Sequence, residues 1–278
     1  MIAVEEMSLI GSGATSDVYS YGDNRVLKLF HADYGRDSAE YEANLAREIS
    51  RTEIRAPRFY ELITVNGRTG IVYEYVPGPM LMSELMESRL GKQIACIKRL
   101  ALTQYGINQA RDANIVSQVD RLSYLIRKAE GIEGYRDAIL SGLACIEQER
   151  QVCHGDLHAG NVIVNDGEYV TIDWMNCYSG NAEGDILRSY LTLITPFAPF
   201  RMNPVRRVAF RLMQRLLGFV YLRDCLRLAG LKRASLKKWY PIIAAARMAD
   251  NVPGERDWLI RMIRKNVKYL PAPGHGLT

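Results

Sequence analysis

The chain has 278 residues, 48% hydrophobic and 24% charged, the balance of a globular protein that can bury a sizeable core without disulfide or metal staples. No run of about 18 apolar residues could span a bilayer, MIAVEEMSLI lacks the basic region and apolar run of a secretory signal, and Cys96, Cys145, Cys153, Cys177 and Cys225 are scattered without a CxxC pair, so reduced thiols in a cytoplasmic protein are expected. The net charge of +5 hides an asymmetry: residues 201–278 hold 17 Lys plus Arg against four Asp plus Glu, a net of +13, while residues 1–200 carry −8.

In chain order, the first 76 residues read mostly as strands. Met7–Ile10, Asp17–Tyr21 and Arg25–Phe30 are short β-prone runs separated by Gly11-Ser12-Gly13 and by Gly22-Asp23-Asn24. Asp37–Arg51 carries strong helix formers with Ala39, Ala43 and Ala46 along one side, and Pro57 closes that region. Phe59–Val65 and Thr69–Tyr75 flank Asn66-Gly67, a strong hairpin signal. Pro77-Gly78-Pro79 marks a boundary. Beyond it, 80–88, 92–108, 116–129 and 134–148 have helical composition. A second hairpin, Val162–Val164 and Tyr169–Ile172, turns through Asn165-Asp166-Gly167, and helices resume near 181. In 205–220 the apolar residues from Val205 to Val220 follow helical spacing, as do Trp258, Leu259, Met262, Ile263, Val267 and Leu270 in 253–270. The pattern predicts an α+β protein of two lobes: a small antiparallel-sheet lobe with one helix, residues 1–76, and a larger, mainly helical lobe, residues 77–278. Ligands favour the cleft that such an arrangement makes.

The segment richest in chemistry is His154-Gly155-Asp156-Leu157-His158-Ala159-Gly160-Asn161, followed after the hairpin by Ile172-Asp173-Trp174. Asp156 and Asn161 end one tight loop, and the hairpin returns the chain so that Asp173 arrives beside them. Hard oxygen ligands suit Mg²⁺, which commonly takes one or two carboxylates plus phosphate oxygens. Phosphoryl transfer needs a metal and a carboxylate that orients the attacking hydroxyl. His154 and His158 could read as helical metal ligands, but Gly155 and Gly160 argue for a loop that they support. The run Gly11-Ser12-Gly13-Ala14-Thr15-Ser16 reads either as a plain hairpin turn or as a loop whose backbone N–H groups approach phosphates, with Ser12, Thr15 and Ser16 as further donors. It lacks G-K-[ST] and is not a Walker A loop. Lys28, between Leu27 and Leu29, needs a partner for its charge.

HGDLHAGN followed by IDW resembles the aminoglycoside phosphotransferase and choline kinase family, a relative of the protein kinases. The kinase pattern H-R-D-L-x-x-x-N matches at His154, Asp156, Leu157 and Asn161. The resemblance covers about residues 7–270, including Trp239 to Arg247. It implies a protein-kinase-like fold with Asp156 as catalytic base and Asn161 and Asp173 holding Mg²⁺. It implies that Lys28 contacts the α- and β-phosphates of ATP or another nucleoside triphosphate, paired with a helix glutamate. Glu40, Glu42 and Glu48 are candidates, and counting back from Pro57 favours Glu42. Glu74-Tyr75-Val76-Pro77-Gly78 would be the interlobe linker, its backbone bonding the adenine at Glu74 and Val76. Asp185 would brace the catalytic loop, although an exposed Asp near a helix N-terminus is an equally simple reading.

Three departures separate the chain from protein kinases. Gly155 replaces the Arg of H-R-D, Asp173-Trp174-Met175 replaces D-F-G, and Asp173 and Asp185 stand too close for a peptide-docking loop, with no A-P-E. The expected activity is therefore that of a small-molecule kinase acting on a hydroxyl acceptor, with no nucleic acid partner and no membrane span. A nucleotide-binding regulatory protein, an atypical protein kinase and a basic membrane-associated protein are the alternatives. Arg206, Arg207, Arg211 and Arg215 would carry the last, yet core packing is the simpler expectation for the apolar face of 205–220. Because 201–278 offers only Asp224, Asp250, Glu255 and Asp257, a neutral or anionic acceptor is expected rather than a polycation.

Overall fold

The computed structural model describes residues 7–13, 15–197 and 203–272. Ala14 of the glycine-rich run lies outside them. The described chain falls into two compact units. The first is built from the chain up to Glu84 together with Ala159–Met175, and the second from Leu85–His158 and the chain from Asn176 onward. A division at residue 76 follows chain order, whereas packing draws the second hairpin into the first unit. The N–H of Val164 donates to the Pro79 carbonyl and that of Thr171 to the Arg55 carbonyl, both sealing this hairpin to N-terminal segments.

The first unit is a five-stranded antiparallel sheet in the order β1-β2-β3-β5-β4, from β1 (Leu9–Ser12), β2 (Ser16–Ser20), β3 (Arg25–Phe30), β4 (Phe59–Val65) and β5 (Arg68–Glu74), with one helix, α1 (Arg36–Ile49). The period of two in β3 separates its side chains. Leu27 and Leu29 pack with Val65 and Val72. Phe30 lies with Ala39 and Ala43 of α1 and with Ile71. The predicted alanine stripe is thus the sheet-facing side of α1. The β4–β5 turn has Asn66 at φ 50° and Gly67 at φ 76°, the left-handed pair that a two-residue hairpin of this hand demands. β1 starts two residues later than Met7–Ile10 and runs through Gly11 and Ser12, so the loop proper is confined to positions 13–15.

The second unit begins within α2 (Leu81–Glu87) and continues with α3 (Leu90–Gln109), α4 (Gln118–Lys128) and α5 (Glu133–Ala144). The last ends four residues short of 148. Two three-residue strands, β6 (Gln151–Cys153) and β9 (Tyr178–Gly180), pair antiparallel with one another. Neither is legible in the sequence, since three residues show no period. Between them in sequence come β7 (Val162–Asn165) and β8 (Glu168–Thr171), the predicted hairpin of the first unit, turned at Asp166 (φ 49°) and Gly167 (φ 84°). Then follow α6 (Ala182–Leu193), α7 (Pro204–Leu228), α8 (Trp239–Arg247) and α9 (Arg256–Asn266). The predicted helix 253–270 is shorter because Pro253 and Gly254 form a turn, and Val267–Tyr269 tighten to a 3₁₀ turn. The core gathers Leu122, Ile126, Ile139, Leu187, Trp239, Ile242, Leu259 and Ile263.

α7 corrects an expectation. It packs against α3 and α6 through Leu217, Val220, Tyr221 and Cys225. Of the row expected to face the core, Leu217 and Val220 are buried, whereas Val205, Val208, Leu212 and Leu216 point the other way and, with Phe219 beside them, are 41–78% exposed. Helical spacing shows that a row shares a face; it does not say which of two apolar faces meets the body. Among the described residues no helix is long and apolar enough to cross a membrane.

Candidate active site

The first unit holds a cavity of about 450 Å³, within the range of small-molecule sites. The cavity is lined by Gly11, Ser12, Gly13 and Ser16, by Val18 and Val26 of the sheet, by Glu74 at the end of β5 and Val76 beyond it, and by Ile163, Ile172, Asn161 and Asp173. Apolar side chains from β2, β3 and the β7–β8 hairpin give a slot suited to a flat ring, while oxygens and a cation collect at one side. Lys28 donates to Glu42 at 2.5 Å and lies 5.4 Å from the centre of the Phe30 ring. Glu40 and Glu48 are occupied by Arg36 and Arg51 of their own helical region. Glu42, by contrast, faces the sheet and is 6% exposed. Glu42 and Asp173 both raise the phenols of Tyr73 and Tyr34, after burial itself. Two carboxylates from distant parts of the sequence therefore act on this interior.

Asp173 has φ 64°, a left-handed backbone that Asp tolerates better than most residues and that costs about 1–2 kcal/mol. The bend follows directly on β8, where Trp174 Nε1 donates to the Thr171 carbonyl. The Ile172 N–H donates to the Asn161 carbonyl, which ties the two oxygen-bearing residues of the hairpin together. No cluster of three His, Cys, Asp or Glu that could hold a metal exists among the described residues. Asn161 and Asp173 do offer two hard oxygen donors on one cavity wall, which fits Mg²⁺ completed by phosphate and water.

The glycine-rich loop is more committed than the sequence suggests. Ser12 Oγ donates to Asp17 Oδ1 at 2.6 Å, and Gly13 N–H donates to the Ser16 carbonyl. The Ser12 bond is the main reason that the Asp17 carboxyl lies below its ordinary value, with His31 and Arg68 adding to it. Thr15 does not line the cavity; its carbonyl accepts from His31 N–H. At the linker, Glu74 N–H already donates to the Arg58 carbonyl, leaving its own carbonyl as the group that could accept from a ligand. Gly78 is obligatory: at φ 132° a Cβ would stand 2.0 Å from the Val164 carbonyl oxygen.

Asp156 belongs to the second unit, with His154, His158 and Asp185. It is half-buried between two buried neighbours, Gly155 and Leu157. The turn that presents it is held from behind. Asp185, fully buried on α6, accepts from His154 N–H (2.9 Å) and Gly155 N–H (2.8 Å), and from Gln104 Nε2 (2.8 Å) and Asn108 Nδ2 (3.2 Å). His154 is buried, its Nδ1 accepting from Asp156 N–H. Arg188 Nε donates to the Gly155 carbonyl, while its terminal nitrogen meets Asp250 at 2.7 Å. Gly155 has φ 76°, and a Cβ there would lie 2.1 Å from the Asn176 carbonyl oxygen, so the Arg of H-R-D has no place in this chain.

Gln104, Asn108 and Arg188 were not singled out from the sequence. Gln104 also accepts from Ser189 and Tyr221, completing a buried polar network around Asp185. Their signal was available: Gln104 and Asn108 are four apart on the side of α3 that otherwise shows Leu100, Ala101 and Ile107. Polar residues on a core face demand a partner.

The antiparallel five-stranded sheet with one helix, followed by a mainly helical remainder, is the protein-kinase-like α+β fold. The chain belongs to the phosphotransferase enzyme family, whose model matches residues 6–219, and it is a phosphotransferase. Among solved structures, an aminoglycoside-3′-phosphotransferase of type VIII superposes with a TM-score of 0.61 at 17% identity, over 88% of this chain and 92% of that one. An amicoumacin kinase in complex with AMP-PNP, Ca²⁺ and Ami gives 0.55 at 18%, over 97% and 90%. A choline/ethanolamine kinase family protein from Mesorhizobium loti gives 0.56 at 12%, over 96% and 88%. These identities establish a shared fold. No curated protein sequence is significantly similar to the chain.

Proposed function

We propose that this phosphotransferase is a small-molecule kinase that moves the γ-phosphoryl group of ATP, or another nucleoside triphosphate, onto a hydroxyl of a small acceptor. The observation that carries this is the Lys28–Glu42 pair on the same cavity as Asn161 and Asp173. The adenine would lie in the apolar slot, accepting from Val76 N–H and donating to the Glu74 carbonyl. Lys28, held by Glu42, would grip the α- and β-phosphates. Asn161 and Asp173 would hold Mg²⁺, which when bound neutralises phosphate charge. Asp156 would accept the proton of the acceptor hydroxyl as its oxygen bonds to the γ-phosphorus, while the bond from that phosphorus to the β–γ bridging oxygen breaks and the diphosphate leaves. Asp185 and His154 would hold the turn. Five free cysteines suit a reducing, cytoplasmic compartment.

The acceptor is neutral or anionic on this reading. Asp224 is paired with Arg223, Asp250 with Arg188, and Glu255 with Arg247, which leaves little free negative charge in the basic third of the chain to receive a polycation. The solved relatives named for aminoglycosides would differ from it in this respect. The test is Mg²⁺-dependent nucleotide turnover with a panel of hydroxyl compounds. Acceptor-stimulated turnover that disappears in Asp173→Ala is expected; unchanged Mg²⁺ dependence in that variant, or no nucleotide binding by the wild type, overturns the assignment.

A further inference from the structure

α7 is a well-specified helix with an outward face of the wrong chemistry for water. Its start is encoded: Asn203 Oδ1 accepts from Arg206 N–H at 2.9 Å, and Pro204 occupies the first turn. From that start to Phe219, the side opposite the buried Leu217, Val220 and Tyr221 is occupied by Val205, Val208, Leu212, Leu216 and Phe219, all exposed. A surface helix normally turns its polar stripe outward. Here the outward row is apolar, and the polar residues of this stretch lie off that row. The row covers 14 steps, about 21 Å at 1.5 Å per residue.

The charged residues of this stretch are all cationic. From Asn203 through Arg223 there are five arginines and no Asp or Glu. Arg211 donates to the Pro196 carbonyl, and Arg223 meets Asp224. Among the described residues, no carboxylate pairs with Arg206, Arg207 or Arg215. A second copy of the chain seated on this row would bring five arginines against five. The row is also narrow. Five partly exposed side chains offer roughly 500 Å², short of the ~800 Å² that each partner gives to a standard protein interface. A single outward-facing row one side chain wide suits a deformable plane better than a protein groove. An interfacial helix buries its apolar side by about 5–10 Å at the headgroup boundary, where arginine stems can lie along it and reach phosphates.

We propose that the N-terminal half of α7 docks the protein on an anionic lipid surface, Val205, Val208, Leu212, Leu216 and Phe219 entering the interface and Arg206, Arg207 and Arg215 binding lipid phosphates. This surface is independent of the nucleotide cavity, all of whose lining residues belong to the other compact unit. Co-sedimentation of the full chain with vesicles tests it, using phosphatidylcholine alone and phosphatidylcholine with about one-third phosphatidylglycerol. Binding is expected on the anionic vesicles only, and it weakens as salt is raised. Each arginine contributes about fivefold to partitioning, so the triple variant Arg206→Gln/Arg207→Gln/Arg215→Gln should lose about a hundredfold. Leu212→Glu/Phe219→Glu should abolish binding while the far-ultraviolet circular dichroism stays that of the wild type. If that pair fails to fold, the arginine variant decides. Absence of binding to anionic vesicles overturns the proposal. So does binding that survives both sets of substitutions, or a dimer in analytical ultracentrifugation that Leu212→Glu/Phe219→Glu turns into monomer, which would make the row a contact between copies.

Discussion

A lysine on an interior strand needs a fixed anion, and α1 supplies one at Glu42 while its other two candidate glutamates serve surface arginines. Lys28→Ala should leave Glu42 buried without its cation and remove charge-assisted bonds of about 1.5–3 kcal/mol to phosphate, raising the nucleotide dissociation constant by roughly tenfold to a hundredfold. Isothermal titration with a non-hydrolysable nucleotide measures this. Asp156 differs in kind, being presented half-buried on a turn that the buried Asp185 holds. Asp156→Asn should cut kcat by about 10²–10⁴-fold, the usual contribution of a general base, and leave nucleotide affinity nearly intact. Wild-type turnover in the folded variant would remove Asp156 from the mechanism. Asp185 organises rather than reacts. Four donors converge on its buried carboxylate, so Asp185→Ala should cost about 3 kcal/mol or more in urea unfolding by stranding them.

At the scale of elements, turns proved the most legible feature and short strands the least. Asn66-Gly67 and Asp166-Gly167 both adopt the positive φ values that their residue types allow. β6 and β9 are three residues each and exist because they pair with one another. The turn leaving β6 carries the strictest backbone demand near Asp156. Gly155→Ala would combine a left-handed φ with a methyl group 2.1 Å from the Asn176 oxygen. The strain alone is about 1–2 kcal/mol, and relief of the clash must shift the turn. A melting temperature lower by several degrees is expected, together with a fall in kcat larger than any change in nucleotide affinity. Equal activity and stability would show that the turn gives way easily.

Over the whole molecule, buried thiols and phenols set the alkaline limit. Burial raises Cys177 from an ordinary thiol value of 9.0 to about 12, and it raises Cys153, Cys225, Tyr73, Tyr178 and Tyr221 as well. Unfolding lets these groups ionise at their ordinary values, so above about pH 9 the unfolded state binds fewer protons than the folded state. Stability is therefore complete below pH 9 and declines as pH rises toward 12. Urea midpoints from pH 7 to 11 should fall steadily in the upper half of that range; a flat profile would contradict the buried placement. The same burial leaves Cys145 as the exposed thiol among the five. Mass spectrometry after brief alkylation at pH 8 should find that site modified first. The basic third should also govern acceptor choice: steady-state kinetics should favour neutral or acidic hydroxyl compounds over aminoglycosides. A kcat/KM above about 10⁴ M⁻¹s⁻¹ for an aminoglycoside would show that charge does not govern the choice.

Sequence alone determined the fold class and the chemistry-bearing loop, because hairpin turns, glycine positions and the order His154, Asp156, Asn161, Asp173 are local properties of the chain. It could narrow the partner of Lys28 to three glutamates and favour Glu42 by counting back from Pro57, but the pairing itself depends on which side of α1 meets the sheet. It could mark the apolar residues from Val205 to Val220 as helically spaced, but no local feature says which of them are buried. Gln104, Asn108 and Arg188 acquire their meaning only when α3 and α6 pack behind the Asp156 turn. Periodicity and turn chemistry are written within a few residues, whereas the direction of a face and the partner of a buried charge are set by elements dozens of residues away, and for those the tertiary structure decided.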